Sequence, residues 1–209
     1  MSVNAVSLAP MSVTVINYDR GMTRWEPNAA GRLARAALEL YSERGFEQTT
    51  VAEIAGRAGL TERTFFRHFA DKREVLFSGA DTLQETVIAA VASAPSSSTP
   101  IAAAAAGVEA AGVLLQERRE FARQRQAVIA ANVELREREL IKLASLASAI
   151  AEALRGRGVK DPTASLAAEA AIAAFRIAFE RWTRSAKAQT LPRLIRDSLD
   201  ELRAVTAGT

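Results

Sequence analysis

The chain has 209 residues and a formal net charge of +3, and nearly half of its residues are hydrophobic. It could hold one or two domains with a proper core. With no cysteine and the single histidine His68, disulfides, thiolate metal sites and multi-histidine metal centres are excluded; abundant alanine, scarce glycine and proline, and no sustained period-two alternation make the expected fold all-α.

Residues 1–25 lack the basic segment and apolar run of a signal peptide and are expected to form a disordered leader. Helix one is expected from about Asn28 to Arg44, with Leu33, Ala37, Leu40 and Tyr41 buried and Gly45 ending it. Thr50 and Glu53 form a capping box for helix two, which buries Val51, Ile54, Ala55 and Ala58. Gly59 stands where the chain must leave that helix in a left-handed turn. Thr61 caps helix three, with Phe65 and Phe69 buried one turn apart. Two short helices joined by a glycine turn make a helix-turn-helix, the unit that enters the DNA major groove.

Asp71, with Glu74 three residues on, predicts the start of a fourth helix running from Lys72 to about Ala92. Residues 94–100 break the chain, and Thr99-Pro100 restart it as an alanine-rich fifth helix to about Arg118. A sixth helix is expected over Glu120–Ala131 with a break near Asn132. A seventh covers Glu134–Arg155, an eighth runs from Asp161-Pro162 to about Lys187, and a ninth from Leu191 to near Val205. No apolar stretch looks long enough and free enough of charge to span a bilayer. Residues 22–80 hold nine Lys/Arg against eight Asp/Glu, so any case for DNA rests on the local cluster of Arg63, Arg67, Lys72 and Arg73.

The segment Gly45-Phe46, Thr49-Thr50, Ile54-Ala55, Ala58-Gly59-Leu60, Thr64-Phe65-Phe66-Arg67-His68-Phe69 and Lys72 closely resembles the DNA-binding motif of the TetR family of bacterial transcriptional regulators. The resemblance implies about nine helices: a helix-turn-helix domain over residues 26–71 and a helical-bundle ligand-binding and dimerisation domain over 72–209. It implies a cytoplasmic, homodimeric, ligand-responsive regulator, most often a repressor, on a palindromic double-stranded DNA operator. No catalytic residues, metal or cofactor are expected. An all-helical enzyme or interaction protein without DNA binding is the alternative.

Carried onto this chain, the motif assigns Thr50, Thr61, Arg63, Thr64, Phe66, Arg67, His68 and Lys72 to DNA. Arg63 and Arg67 suit guanine edges and the Thr64 methyl suits thymine. Phe66 replaces the family's usual tyrosine and cannot donate to a phosphate. A lysine at a helix N-terminus is electrostatically misplaced unless an anion sits there, which favours Lys72 as a phosphate contact.

For a small hydrophobic effector the candidates are Phe121, Val128, Asn132, Leu143, Phe175, Arg176, Phe179 and Trp182. Arg176, a cation in an apolar helix, would counter an anionic group. Residues 136–182 are loosely similar to domains that sense fatty-acyl-CoA-like molecules. Leu191, Ile195, Leu199 and Leu202, beside the small residues of helix eight, are expected to form the dimer interface. Ordinary intrachain core is the plainer explanation of the aromatic and leucine stripes alike.

Overall fold

The computed structural model describes residues 29–185 and 189–208. The expected leader, Asn28 and Lys187 lie outside them. Among the described residues there are nine α-helices: α1 (Ala29–Arg44), α2 (Val51–Arg57), α3 (Glu62–His68), α4 (Ala80–Ser93), α5 (Pro100–Gln116), α6 (Arg119–Ala131), α7 (Val133–Gly156), α8 (Thr163–Arg184) and α9 (Leu191–Ala207). The local signals act as their chemistry requires. The Thr50–Glu53 capping box is reciprocal, Thr61 accepts from the Thr64 amide, and Thr99 accepts from the Ala102 amide with Pro100 at the first turn. Gly45 and Gly59 adopt φ of +88° and +65°, where a side chain would be strained.

The fourth helix differs from expectation. Asp71 accepts from the Arg73 and Glu74 amides at 2.8 and 3.2 Å, but the next element is a 3-10 turn, Glu74–Phe77, and α4 begins only at Ala80. Val75, Leu76 and Phe77 are all buried. The chain turns tightly here to seat all three in the first core, and α4 starts after Gly79. Residues 74–93 also correct the membrane expectation. They reach a mean hydropathy of 1.2 over the length of a span, but Val75 and Leu76 are buried in one core and Val87 and Val91 in another.

The first core joins α1, α2, α3 and the 3-10 turn around Leu33, Leu40, Phe46, Ile54 and Phe65, past the expected boundary at residue 71. It also takes in Val128 and Ile129 of α6 and Leu135 of α7. The second core is built by α4, α5, α7, α8 and α9. Its alanine tract lets helices approach closely. A Cβ on Gly107 of α5 would fall 2.7 Å from Val91 and 3.1 Å from the Val87 carbonyl oxygen of α4.

Helix α6 spans the two cores. At its start the Arg119 guanidinium donates to the carbonyls of Trp182 (2.9 Å) and Ser185 (2.6 Å) at the end of α8. Farther along, Arg125 donates to the Leu76 carbonyl at 2.7 Å and lies over the Phe77 ring at 4.8 Å.

Candidate DNA interface and effector region

Helix α3 buries Phe65 and presents the rest of its surface outward. Thr61, Arg63, Phe66, Arg67 and His68 are exposed and Thr64 is half-buried. Phe66, at 56 % exposure, is the most open aromatic of the helix and meets Phe65 edge-on. Arg63 and Arg67, one turn apart, form no ion pair among the described residues. Their neighbours do. Arg57 makes two 3.0 Å hydrogen bonds to Glu43, Arg44 pairs with Glu53 at 2.9 Å, and Arg73 chelates Asp71 at 2.6 and 3.1 Å. The expected cationic cluster therefore reduces to the two arginines on α3 itself.

Lys72 requires a correction. No α-helix starts at it, so the electrostatic motive for an anion there is absent. Its ammonium donates to the carbonyls of Phe46 (3.0 Å), Glu47 (3.3 Å) and Thr49 (3.3 Å) and lies 4.4 Å from the Phe46 ring centroid. Thr50 is exposed, but its hydroxyl already donates to Glu53, whose carboxyl is held below its ordinary range by hydrogen bonds from the Thr50 amide and hydroxyl and by Arg44. Two further cations, Arg32 and Arg35, are not part of the family motif. Both are exposed on α1 and border a shallow concavity with Arg57. Their spacing of three on a helix is the signal the sequence offers for them.

A network binds the 3-10 turn to α6 and α7. Glu74 meets Arg138 and, at 3.2 Å, Lys142. Burial alone would raise the Glu74 carboxyl; the hydrogen bonds from Arg138 and Lys142 outweigh it and hold the group below its ordinary range. Arg125 contacts Glu139 at 3.4 Å. Desolvation pulls the Arg125 guanidinium down, and Glu139 partly offsets that.

The expected effector residues divide into three places. Phe121, Val128 and Asn132 are not with the rest. Val128 belongs to the first core and Phe121 packs against it, while Asn132 donates to the Val128 carbonyl and closes α6. Leu143, Phe175, Phe179 and Trp182 belong to the second core. Phe175 and Phe179 stack at 5.9 Å, and Phe179 and Trp182 follow at 5.7 Å. Trp182 is fully buried, and its indole N–H meets no acceptor among the described residues. Arg176 is exposed on the outer face of α8. The expectation of a buried cation there is wrong, because the helix turns that position to the surface; Glu180 pairs instead with Arg184.

The leucine stripe of α9 is also corrected. Leu191, Ile195 and Leu199 are buried within the chain, against α5 and α8, because one strongly amphipathic helix covers the second core. Leu202 is half-buried, and the outward surface of α9 is mostly polar, with Arg193, Arg196 and Asp200 exposed beside Val205. Helix α8 instead carries an outward stripe of Leu166, Ala170, Ala173 and Ile177, with Leu166 66 % and Ile177 48 % exposed.

A three-helix unit presenting an exposed, cationic second helix of a helix-turn-helix, mounted on an all-helical second domain, is the architecture of a one-component transcriptional regulator. Comparison with known proteins agrees. Residues 33–78 match the bacterial regulatory proteins of the tetR family, and residues 98–207 match the MftR C-terminal domain, a TetR C-terminal domain. The chain belongs to the TetR family of transcriptional regulators.

Among relatives, it is 38 % identical over 96 residues to the regulator TcmR of Streptomyces glaucescens, covering 41 % of this chain and 42 % of that protein. It is 35 % identical over 69 residues to the uncharacterised regulator Rv2250c of Mycobacterium tuberculosis, covering 31 % and 36 %. The matches thus span less than half the length of these relatives.

The fold is shared with SmeT, the repressor of the Stenotrophomonas maltophilia efflux pump SmeDEF (TM-score 0.56, 20 % identity, 86 % of this chain and 90 % of that chain). The SmeT complex with triclosan superposes with a TM-score of 0.60 (20 % identity, 85 % and 90 %). The Thermus thermophilus repressor FadR, in complex with lauroyl-CoA, gives 0.53 (23 % identity, 83 % and 93 %).

Proposed function

We propose that the protein is a homodimeric repressor that reads a palindromic operator through α3 and is released by a small hydrophobic effector. The observation that carries this is the outward face of α3. Arg63 and Arg67 are exposed there and form no ion pair among the described residues, in a unit where Arg44, Arg57 and Arg73 are paired with acids. Thr61, Thr64, Phe66 and His68 flank them, with Thr50 at the start of α2. Arg63 and Arg67 suit guanine edges; the others suit phosphate, sugar or thymine methyl contacts.

Dimerisation is proposed through α8, beside α9. The stripe Leu166, Ala170, Ala173, Ile177 has spacings of four, three and four. It is therefore symmetric about its midpoint, and an antiparallel copy sets alanine against alanine at the centre and large side chains at the ends. Self-complementarity of this kind is what a two-fold interface requires. Arg176 and Glu169 flank the stripe in positions where two copies would exchange them.

The effector is proposed to lie against Leu143, Phe175, Phe179 and Trp182. The lauroyl-CoA and triclosan found in the structural neighbours each carry a large apolar part, the acyl chain of the one and the aromatic rings of the other, which supports that class. The signal would pass along α6, whose arginines reach Trp182 and Leu76 respectively, so the coupling runs beside α4 as well as through it. A shift of either recognition helix changes their spacing and lowers operator affinity.

The test is selection of bound duplexes from a random pool, followed by footprinting. An inverted repeat, protected on both halves, is expected. Recovery of no consensus, or of a single unrepeated half-site, would reject the proposal.

A further inference from the structure

We propose that Lys72 is a positioning residue for DNA recognition: its ammonium closes the helix-turn-helix into a ring and fixes the angle of α3, in place of contacting a phosphate. This rests on the reading of α3 as the recognition helix. An ammonium has three N–H donors, and those of Lys72 are directed at the three carbonyls of Phe46, Glu47 and Thr49. These residues immediately precede α2, whereas Lys72 closely follows α3. The ends of the helix-turn-helix thus meet at one side chain.

The backbone of the same residue is held as well. The Tyr41 hydroxyl of α1 donates to the Lys72 carbonyl at 2.6 Å. Burial, with Asp71 adding to it, pushes the Tyr41 phenol well above its ordinary range, so it stays a donor. The Phe46 ring lies under the ammonium and against the Tyr41 ring, with centroids 5.2 Å apart in the aromatic pair. On the far side of the joint, Thr49 is buried and its hydroxyl donates to the Gly45 carbonyl at 2.8 Å.

The consequence concerns leverage. Helix α3 has seven residues, and its cap Phe69 is already extended. Only Ala70 and Asp71 separate that cap from Lys72. A helix this short has little rigidity of its own to transmit, so its tilt follows its two anchored ends. At one end the anchor is the Gly59 turn and the Thr61 cap; at the other it is Lys72. A phosphate contact would have to draw at least one of the three N–H groups from a carbonyl it already serves.

The experiment compares the full-length protein with Lys72→Met, which keeps the aliphatic stem and removes the donors. Binding is measured over a salt series to the selected duplex and to an unrelated duplex. Amide hydrogen exchange is followed in parallel without DNA. The expected result is a folded variant whose affinity for the selected duplex falls roughly tenfold, the scale of lost charged hydrogen bonds. The salt slope and the affinity for the unrelated duplex stay unchanged, and amides in residues 46–50 and 62–69 exchange faster.

A salt slope reduced by about one, with both duplexes weakened alike, would make Lys72 a phosphate contact and overturn the proposal. Unchanged affinity in a folded variant would overturn it too, leaving only a contribution to stability. Should Lys72→Met fail to fold, Tyr41→Phe removes only the bond to the Lys72 carbonyl, and the same pattern in milder form is expected of it. If the unaltered protein selects no duplex, the reading of α3 fails, while the exchange measurement still decides the clamp.

Discussion

At the scale of single residues, what separates candidate DNA contacts from structural charges is whether a side chain already has a partner. Arg57, Lys72 and Arg73 are each satisfied within the unit, and Arg63 and Arg67 are not engaged with any acid among the described residues. Arg67→Ala is therefore expected to relax preference at one base position, costing roughly 1–3 kcal/mol in operator binding. Quantitative binding to single-base variants checks it; a uniform loss across all variants would make Arg67 a phosphate contact.

Glu74 offers a second test, this time of stability. Its folded carboxyl lies below the ordinary value of 4.5. A depressed carboxyl stabilises fully above its free value, and that contribution is lost as pH falls through the lower, folded value. Glu74→Gln should lower stability at neutral pH by about 1–3 kcal/mol, since Arg138 and Lys142 lose a charged partner. Denaturant titrations at falling pH should show wild type and variant converging. A difference independent of pH would mean that the ionised form is not what matters.

Residue roles are legible in the sequence where the partner is local. The Thr50–Glu53 box, the Thr61 cap and the Gly59 turn involve neighbours within a few positions. The role of Lys72 is hidden because its carbonyl partners lie 23 to 26 positions away, and nothing in local spacing announces them. Arg176 misleads for a related reason. Composition marks α8 as apolar, but only packing decides which of its faces is outward.

Among elements, α6 and the 3-10 turn form the joint of the molecule. Val128, Ile129 and Leu135 enter the first core from the α6–α7 corner, and the Glu74 and Arg125 networks hold that corner to the turn. Caps, glycines and prolines announce helix ends in the sequence, and most bounds follow them. Gly79 marks the restart at α4, but the burial of Val75, Leu76 and Phe77 in the first core depends on residues of α1, α6 and α7 far away in the chain.

Close helix packing gives the prediction at this scale. Gly107→Ala places a methyl against Val91 and the Val87 backbone, so α4 must move away from α5. A loss of about 1–3 kcal/mol is expected, read by thermal or denaturant unfolding. An unchanged or higher midpoint would mean that the alanine's helix propensity outweighs the clash and that α4 yields easily.

For the whole molecule, two cores of separate composition are joined by α6 and the chain through the 3-10 turn, and a self-complementary stripe runs along α8. Ala170→Glu would put two like charges at the centre of the proposed interface. Sedimentation should then show a monomer that retains its helical content, with operator affinity lost. A dimer that survives the change would move the interface elsewhere. The second core is legible from sequence as a helical bundle, but its outward apolar face is not. The stripe on α9 is the most amphipathic, and amphipathicity marks a buried face without saying whether its partner is in the same chain or in another.

Two recognition helices held by one two-fold axis must meet two half-sites at a fixed helical phase. The most direct measurement is therefore operator affinity as base pairs are inserted between the halves of the selected repeat. Inserting about 5 base pairs turns one half-site to the opposite side of the duplex. Affinity is predicted to fall at that insertion to the level of a single half-site. Affinity indifferent to the spacing would contradict a rigid two-fold reader and leave two independent DNA-binding units in its place.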